Sequence, residues 1–126
     1  MKRLWAALIL LAAILAGSFF HARALEGFTG EVSALLDLAG RAAKAERWED
    51  AAALTRRAEG LWTGHETVLH VLLRHGDTDA VLADFREAGA LLAAEDAGGY
   101  AAAVARLTAR LELLCRGEQL TVENLF

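Results

Sequence analysis

The run Leu4-Trp5-Ala6-Ala7-Leu8-Ile9-Leu10-Leu11-Ala12-Ala13-Ile14-Leu15-Ala16-Gly17-Ser18-Phe19-Phe20 carries no charged side chain. As a helix its 17 residues would span about 26 Å, close to the hydrocarbon core of a bilayer at about 30 Å. Nine of the residues are Leu, Ile or Phe, and at roughly 0.5 kcal/mol each they favour insertion by about 4 kcal/mol. The run predicts a helix that enters a membrane and meets lipid through residues 4–20. Trp5 and the flanking charges cover the small shortfall in length.

Outward from this run the charges are asymmetric. Lys2 and Arg3 precede it, while Arg23 follows alone and is succeeded by the acidic Glu26 and Glu31. Basic residues collect on the cytoplasmic side of a span. The expectation is a single-pass protein of the cell membrane, with its N-terminus cytoplasmic and residues 25–126 outside. Residues 1–24 then form a membrane anchor or uncleaved signal segment, and 25–126 an extracytoplasmic helical domain. The competing reading is secretion after cleavage following Ala24, because Ala22-Arg23-Ala24 offers the small-x-small pattern of signal peptidase. The apolar run exceeds the usual signal-peptide length of about 7 to 15 residues, which favours retention. Leu15-Ala16-Gly17-Ser18 has Ser where a lipoprotein box requires Cys, so lipidation is excluded.

Of the 13 Lys and Arg, three are Lys2, Arg3 and Arg23, which leaves ten against 17 Asp and Glu in the remainder. A surface that tracks phosphates needs clustered basic residues to release counterions. These are scattered and outnumbered, so no nucleic acid is expected as a partner. There is no proline, and Ala, Leu, Glu and Arg, all good helix formers, dominate. The fold expected is all-α, an N-terminal transmembrane helix followed by a small antiparallel bundle of about four helices.

Four amphipathic stripes support that expectation. Gly27 and Gly30 are read as loosening the chain after the span, before Phe28, Val32, Leu35, Leu36, Ala39, Ala42 and Ala43 recur at three- and four-residue steps. A second stripe holds Trp48, Ala51, Ala52, Ala58, Trp62, Leu69 and Leu72, with Gly60 and Gly64 able to bend or divide it. His75-Gly76 is read as its end, with Gly76 as a left-handed cap and Asp77 or Thr78 as the next N-cap. The third contains Val81, Leu82, Phe85, Ala88 and Leu92, with its end marked by Glu95-Asp96-Ala97-Gly98-Gly99, where Gly98-Gly99 is read as the turn. The fourth runs through Tyr100, Ala103, Val104, Leu107, Leu111 and Leu114 to a stop at Gly117. The apolar tail, with Leu120, Val122, Leu125 and Phe126, is expected to pack back on the bundle. The single Cys115 permits no internal disulfide and reads as a small buried group beside Leu111 and Leu114.

Ala45-Glu46-Arg47-Trp48-Glu49-Asp50-Ala51-Ala52 is echoed 52 residues later by Ala97-Gly98-Gly99-Tyr100-Ala101-Ala102-Ala103-Val104. Aromatic-then-alanine pairing of this sort also occurs in tetratricopeptide-type hairpins. At this period the echo is read as ordinary helix-pair packing.

The residues with most chemical potential are His65, Glu66, His70, His75, Asp77 and Asp79. Imidazole and carboxylate ligands at helical spacing are the ingredients of a metal or acid-base site. The spacing is poor, however. His65 and His70 lie five apart, about 140° around a helix, whereas the zinc-protease motif requires four on one face. Glu66 and His70 share a face, and His75, Asp77 and Asp79 could converge at a turn. These six are weak binding candidates. No metal or cofactor is assigned, and helix-end capping is the simpler reading. No nucleophile has a partner, and no glycine loop suits phosphate. Trp48 and Trp62, fourteen residues apart, share a face and are read as core anchors rather than a ligand groove.

Trp48, Trp62, the turn His75-Gly76-Asp77-Thr78-Asp79 and the end Asn124-Leu125-Phe126 together resemble domain-of-unknown-function family 4363. Its members are short proteins, mainly of clostridial and related Gram-positive bacteria, with an N-terminal membrane segment and a helical remainder. The resemblance covers nearly the whole chain. Gly76 and Thr78 within the turn, and Arg and Ala in place of many Lys and Ile, depart from the family pattern. The resemblance implies placement and fold, and no catalytic residue. The expected function is a membrane-tethered interaction or structural module with a protein partner still to be identified, not an enzyme. The alternative is an extracytoplasmic ligand or metal binder that uses the histidine-rich end of the second helix.

Overall fold

The computed structural model describes residues 1–65 and 75–124, with side chains described at all of these except 21, 22, 75 and 117–124. Among the described residues all regular structure is helical: α1 (Lys2–Lys44), α2 (Trp48–Gly64), α3 (His75–Ala93) and α4 (Ala97–Asn124). Helix α1 packs on α2 and α4, and α3 packs on α4 and α2.

The 43 residues of α1 make a rod about 65 Å long. Its first half is bare. Leu4, Ile9, Leu10 and Phe20 are each more than 60% exposed, and an 18-residue window of this helix long and apolar enough to cross a membrane has none of its residues buried. Burial begins at Leu25 and continues through Thr29, Val32, Leu36, Ala39, Ala42 and Ala43. The break expected at Gly27 and Gly30 does not occur. Two helical glycines cost about 1 kcal/mol each, whereas Leu25 and Val32, buried on either side, each contribute about 1.5–3 kcal/mol.

The core has two layers. The lower one, nearer the apolar half of α1, holds the large residues Leu25, Val32, Leu36, Trp62, Phe85, Leu107 and Leu111. The upper one is built mostly of alanine: Ala39, Ala42, Ala43, Ala51, Ala88 and Ala103, with Leu92 and Tyr100. Methyl side chains let helix axes approach closely, so the upper end is filled without bulk. Trp62 is buried in the lower layer and Trp48 is half-buried against the upper one.

Helix α2 ends at Gly64, where the second stripe was open to division, but two other turns are not where glycine suggested. Helix α1 ends at Ala45-Glu46-Arg47, where Glu46 has φ 60°. The Glu46 N–H donates to the Ala43 carbonyl (3.0 Å) and the Arg47 N–H to that of Ala42 (2.8 Å). Helix α3 ends in the same way at Ala94-Glu95-Asp96. Glu95 has φ 54°, and the N–H groups of Glu95 and Asp96 donate to the carbonyls of Leu92 and Leu91, both at 3.0 Å. These are Schellman turns with glutamate in the left-handed position that glycine normally takes. Gly98 and Gly99, expected to form this turn, lie inside the first turn of α4. Asp96 caps that helix by accepting the Gly99 N–H at 2.9 Å.

Two further boundaries move. His75 lies within α3 and not at the end of the second helix, and no described glycine has positive φ, so Gly76 is not a left-handed cap. Asp77 sits in the first turn of α3, where a carboxylate suits the positive helix end, and Thr78 is buried. Leu69 and Leu72 lie outside the described residues. Gly117 does not stop α4, which continues to Asn124, so the tail as far as Asn124 extends the helix instead of folding back at Gly117. A glycine without positive φ interrupts no hydrogen bond, and there is no proline to do so.

The two Schellman turns are 49 residues apart, and the burial pattern follows the same offset. Thr29 matches Thr78, Val32 Val81, Leu36 Phe85, Ala39 Ala88, Ala43 Leu92, Ala51 Tyr100, Ala58 Leu107 and Trp62 Leu111, all buried. The bundle is thus two alike helical hairpins. The echo at 52 residues was out of register because it aligned Trp48 with Tyr100 as aromatics. By its place after the turn, Trp48 corresponds to Ala97.

Candidate functional site

Of the six candidate residues, His65 is the one whose side-chain contacts are described. It follows the last residue of α2 and is exposed. Its Nδ1–H donates to the Leu61 carbonyl at 2.9 Å, which satisfies one of the carbonyls that a helix end leaves without a partner. The imidazole lies against the Phe28 ring, centroids 4.4 Å apart, and Phe28 in turn stacks on Trp62 at 5.9 Å. His65 thus extends an aromatic row from the core to the surface.

The other candidates are dispersed or undescribed. Glu66 and His70 lie outside the described residues. His75 is placed by its backbone at the start of α3. Asp77, in the first turn of α3, is half-buried, and Asp79, two residues on, is exposed. Among the described residues no three His, Cys, Asp or Glu side chains converge as a metal ion would require.

Two polar contacts that the sequence did not announce tie α4 to its neighbours. Thr29 and Cys115 meet at 2.9 Å between α1 and α4, and the same Thr29 hydroxyl donates to the Leu25 carbonyl at 3.0 Å. Cys115 is half-buried, less enclosed than its position beside Leu111 and Leu114 suggested. Asp84 of α3, 9% exposed at its side chain, accepts from Arg110 Nε of α4 at 2.7 Å. Neither residue pattern marks such a pair in the sequence, because 86 and 26 residues separate the partners.

A cleft of about 570 Å³ runs between α1 and α4, walled by Ser33, Gly40, Ala97, Gly98, Ala101 and Ala105 among others. It exists because small residues occupy the flanks of both helices just outside the core stripe. The polar groups at its rim are Lys44 and the exposed pair Asp37–Arg41, at 3.2 Å. The walls offer shape and methyl surface.

Compared with protein-family models, with curated proteins and with solved structures, the chain matches none of them.

Proposed function

We propose that this protein is a membrane-tethered helical module that holds its bundle against the outer face of the cell membrane and works by binding a protein partner, not by catalysis. The observation that carries this reading is the continuity of α1. One helix runs without a break from an apolar half with no protein cover into the core of the bundle. A continuous helix transmits the position and tilt of its span directly to the domain, as a flexible linker cannot. In this reading the N-terminus is cytoplasmic, the anchor is retained, and residues 25–126 lie outside as an antiparallel array. The two stacked core layers and the short three-residue turns support the antiparallel arrangement. The excess of 17 carboxylates over ten basic side chains beyond Ala24 favours partners with basic patches through long-range attraction.

A C-terminal fusion to alkaline phosphatase and, separately, to a cytoplasmic fluorescent reporter tests the topology. Phosphatase activity in the membrane fraction with the full chain mass is the expected result. Activity of the cytoplasmic reporter alone overturns the placement, and loss of 24 residues from the mass overturns the anchor in favour of secretion. In vivo crosslinking from exposed α2 or α3 positions, identified by mass spectrometry, tests the binding role. One recurrent crosslinked protein is expected, and crosslinks spread evenly over abundant neighbours would count against it.

A further inference from the structure

We infer that the last turns of α4 make a second contact with the lipid surface, beside the point where α1 leaves it. This rests on α1 as the membrane span.

The register of α4 against α1 is tied where Thr29 meets Cys115, and its direction follows from the opposite end. Thr29 meets Cys115 at 2.9 Å, and Cys115 Sγ lies 4.0 Å from the Leu25 carbonyl. At the opposite end Lys44 and Ala97 line the same cleft. So α4 descends toward the apolar half of α1 as α1 rises from it. Helix α4 does not end at Cys115 but continues to Asn124, nine residues or about 13 Å further. Nine residues back from Thr29 along α1 is Phe20, the last residue of the uncharged run. The end of α4 therefore reaches the level at which α1 leaves the hydrocarbon.

Leu120 stands level with about residue 24, and Val122 with about residue 22. These levels are about 6 and 3 Å above Phe20, inside a headgroup layer about 5–7 Å deep on each side. The backbone of α4 thus carries these two apolar residues to the depth of the interfacial layer. Glu118 and Glu123, in the same turns, favour a zwitterionic over an anionic lipid surface. A bundle held at two points, the α1 span and the α4 end, cannot rock about its stalk.

The test is depth-dependent quenching on the full-length protein in phosphatidylcholine vesicles that carry brominated acyl chains. A Cys115→Ser background keeps a hydroxyl opposite Thr29. Single cysteines for an NBD fluorophore are then introduced as Leu120→Cys, Val122→Cys, Leu10→Cys within the span, and Ala53→Cys, an exposed site beside the upper core layer. The expected result is that labels at 10, 120 and 122 lose much of their emission with brominated lipid while the label at 53 does not. If position 10 is quenched and both 120 and 122 stay as bright as 53, the second contact is overturned and the anchor stands. If position 10 is not quenched, the anchor and the second contact fall together.

Discussion

The Tyr100 hydroxyl of α4 lies 2.6 Å from the Thr55 hydroxyl of α2 inside the alanine-rich layer. Thr55 spends its own proton on the Ala51 carbonyl at 2.7 Å, so Tyr100 is the donor to Thr55. Two helices from different hairpins are joined through a short polar chain that ends on a backbone carbonyl.

This chain makes its two ends unequal. Tyr100→Phe removes a donor and leaves Thr55 bonded to Ala51, for a loss of about 1 kcal/mol, whereas Thr55→Val strands a buried phenol and should cost about 1–3 kcal/mol. Urea titration of the two variants in detergent checks the order. An equal or reversed cost would show that the phenol finds another partner.

The same group sets an alkaline limit. Burial pushes the Tyr100 phenol above its ordinary 10.0, partly offset by the Thr55 hydroxyl, which can turn to donate to a phenolate. The fold thus favours the protonated form. Its contribution is complete below pH 10, the unfolded value, and is lost as pH rises from there toward the higher folded value. Wild-type protein should lose stability above pH 10 more steeply than Tyr100→Phe, read by thermal melts at pH 9, 10 and 11. Parallel curves would exclude Tyr100 as the cause.

The ion pairs between α3 and α4 are likewise unequal. Asp84–Arg110 has a carboxylate 9% exposed, while Arg106–Glu87, at 2.9 Å, is about half exposed on both sides. Arg110→Ala abandons a buried acceptor and should cost about 2 kcal/mol, softened because the guanidinium is partly in water. Arg106→Ala should cost less than about 0.5 kcal/mol. Denaturant midpoints of the two single variants decide the matter, and equal shifts would contradict the burial argument.

Adjacent glycines should respond with opposite signs. A methyl at Gly99 would lie 2.5 Å from Asp96 Oδ2 and 2.8 Å from Leu91 Cδ2, while at Gly98 its nearest neighbour is 3.8 Å away. Gly99→Ala displaces the Asp96 cap and should destabilise by about 1 kcal/mol. Gly98→Ala gains helix propensity and should stabilise by about 0.5 kcal/mol. Two melting curves suffice, and stabilisation by both changes would mean that the cap shifts freely.

The paired turns give the last prediction. Glu46 and Glu95 hold left-handed φ values of 60° and 54°, which cost a residue with a Cβ roughly 1–2 kcal/mol. Glu46→Gly and Glu95→Gly should each stabilise by about 0.5–1 kcal/mol after the entropy that glycine adds to the unfolded chain is subtracted. Similar gains at both positions in chemical denaturation are expected from the matching geometry. A loss at either would show that the glutamate side chain contributes more than the backbone strain costs.

Much of the helical content could be read from residues 28–114 directly. The stripe Val32, Leu36, Ala39 and Ala43, and its counterparts Val81, Phe85, Ala88 and Leu92, are buried as their spacing required, because helix phase is a local property. The binding candidates were less legible. His65 has the side chain of a ligand, yet its Nδ1–H is engaged by the Leu61 carbonyl one turn before it. Thr29–Cys115 and Asp84–Arg110 were invisible because each pair joins helices far apart in the chain.

By itself the sequence determined the uncharged apolar run and the inward face of each helix, since both follow from side-chain chemistry within a few turns. Where helices end, and which residues face one another, was decided by the tertiary structure. Gly27, Gly30 and Gly117 marked breaks that did not form, the turn before Gly98 fell three residues earlier at Glu95, and Glu46 and Glu95 took left-handed positions that no propensity would assign them. Burying the two matched core layers repays the roughly 1 kcal/mol cost of a helical glycine or a left-handed glutamate. That burial is known only once all four helices are in place.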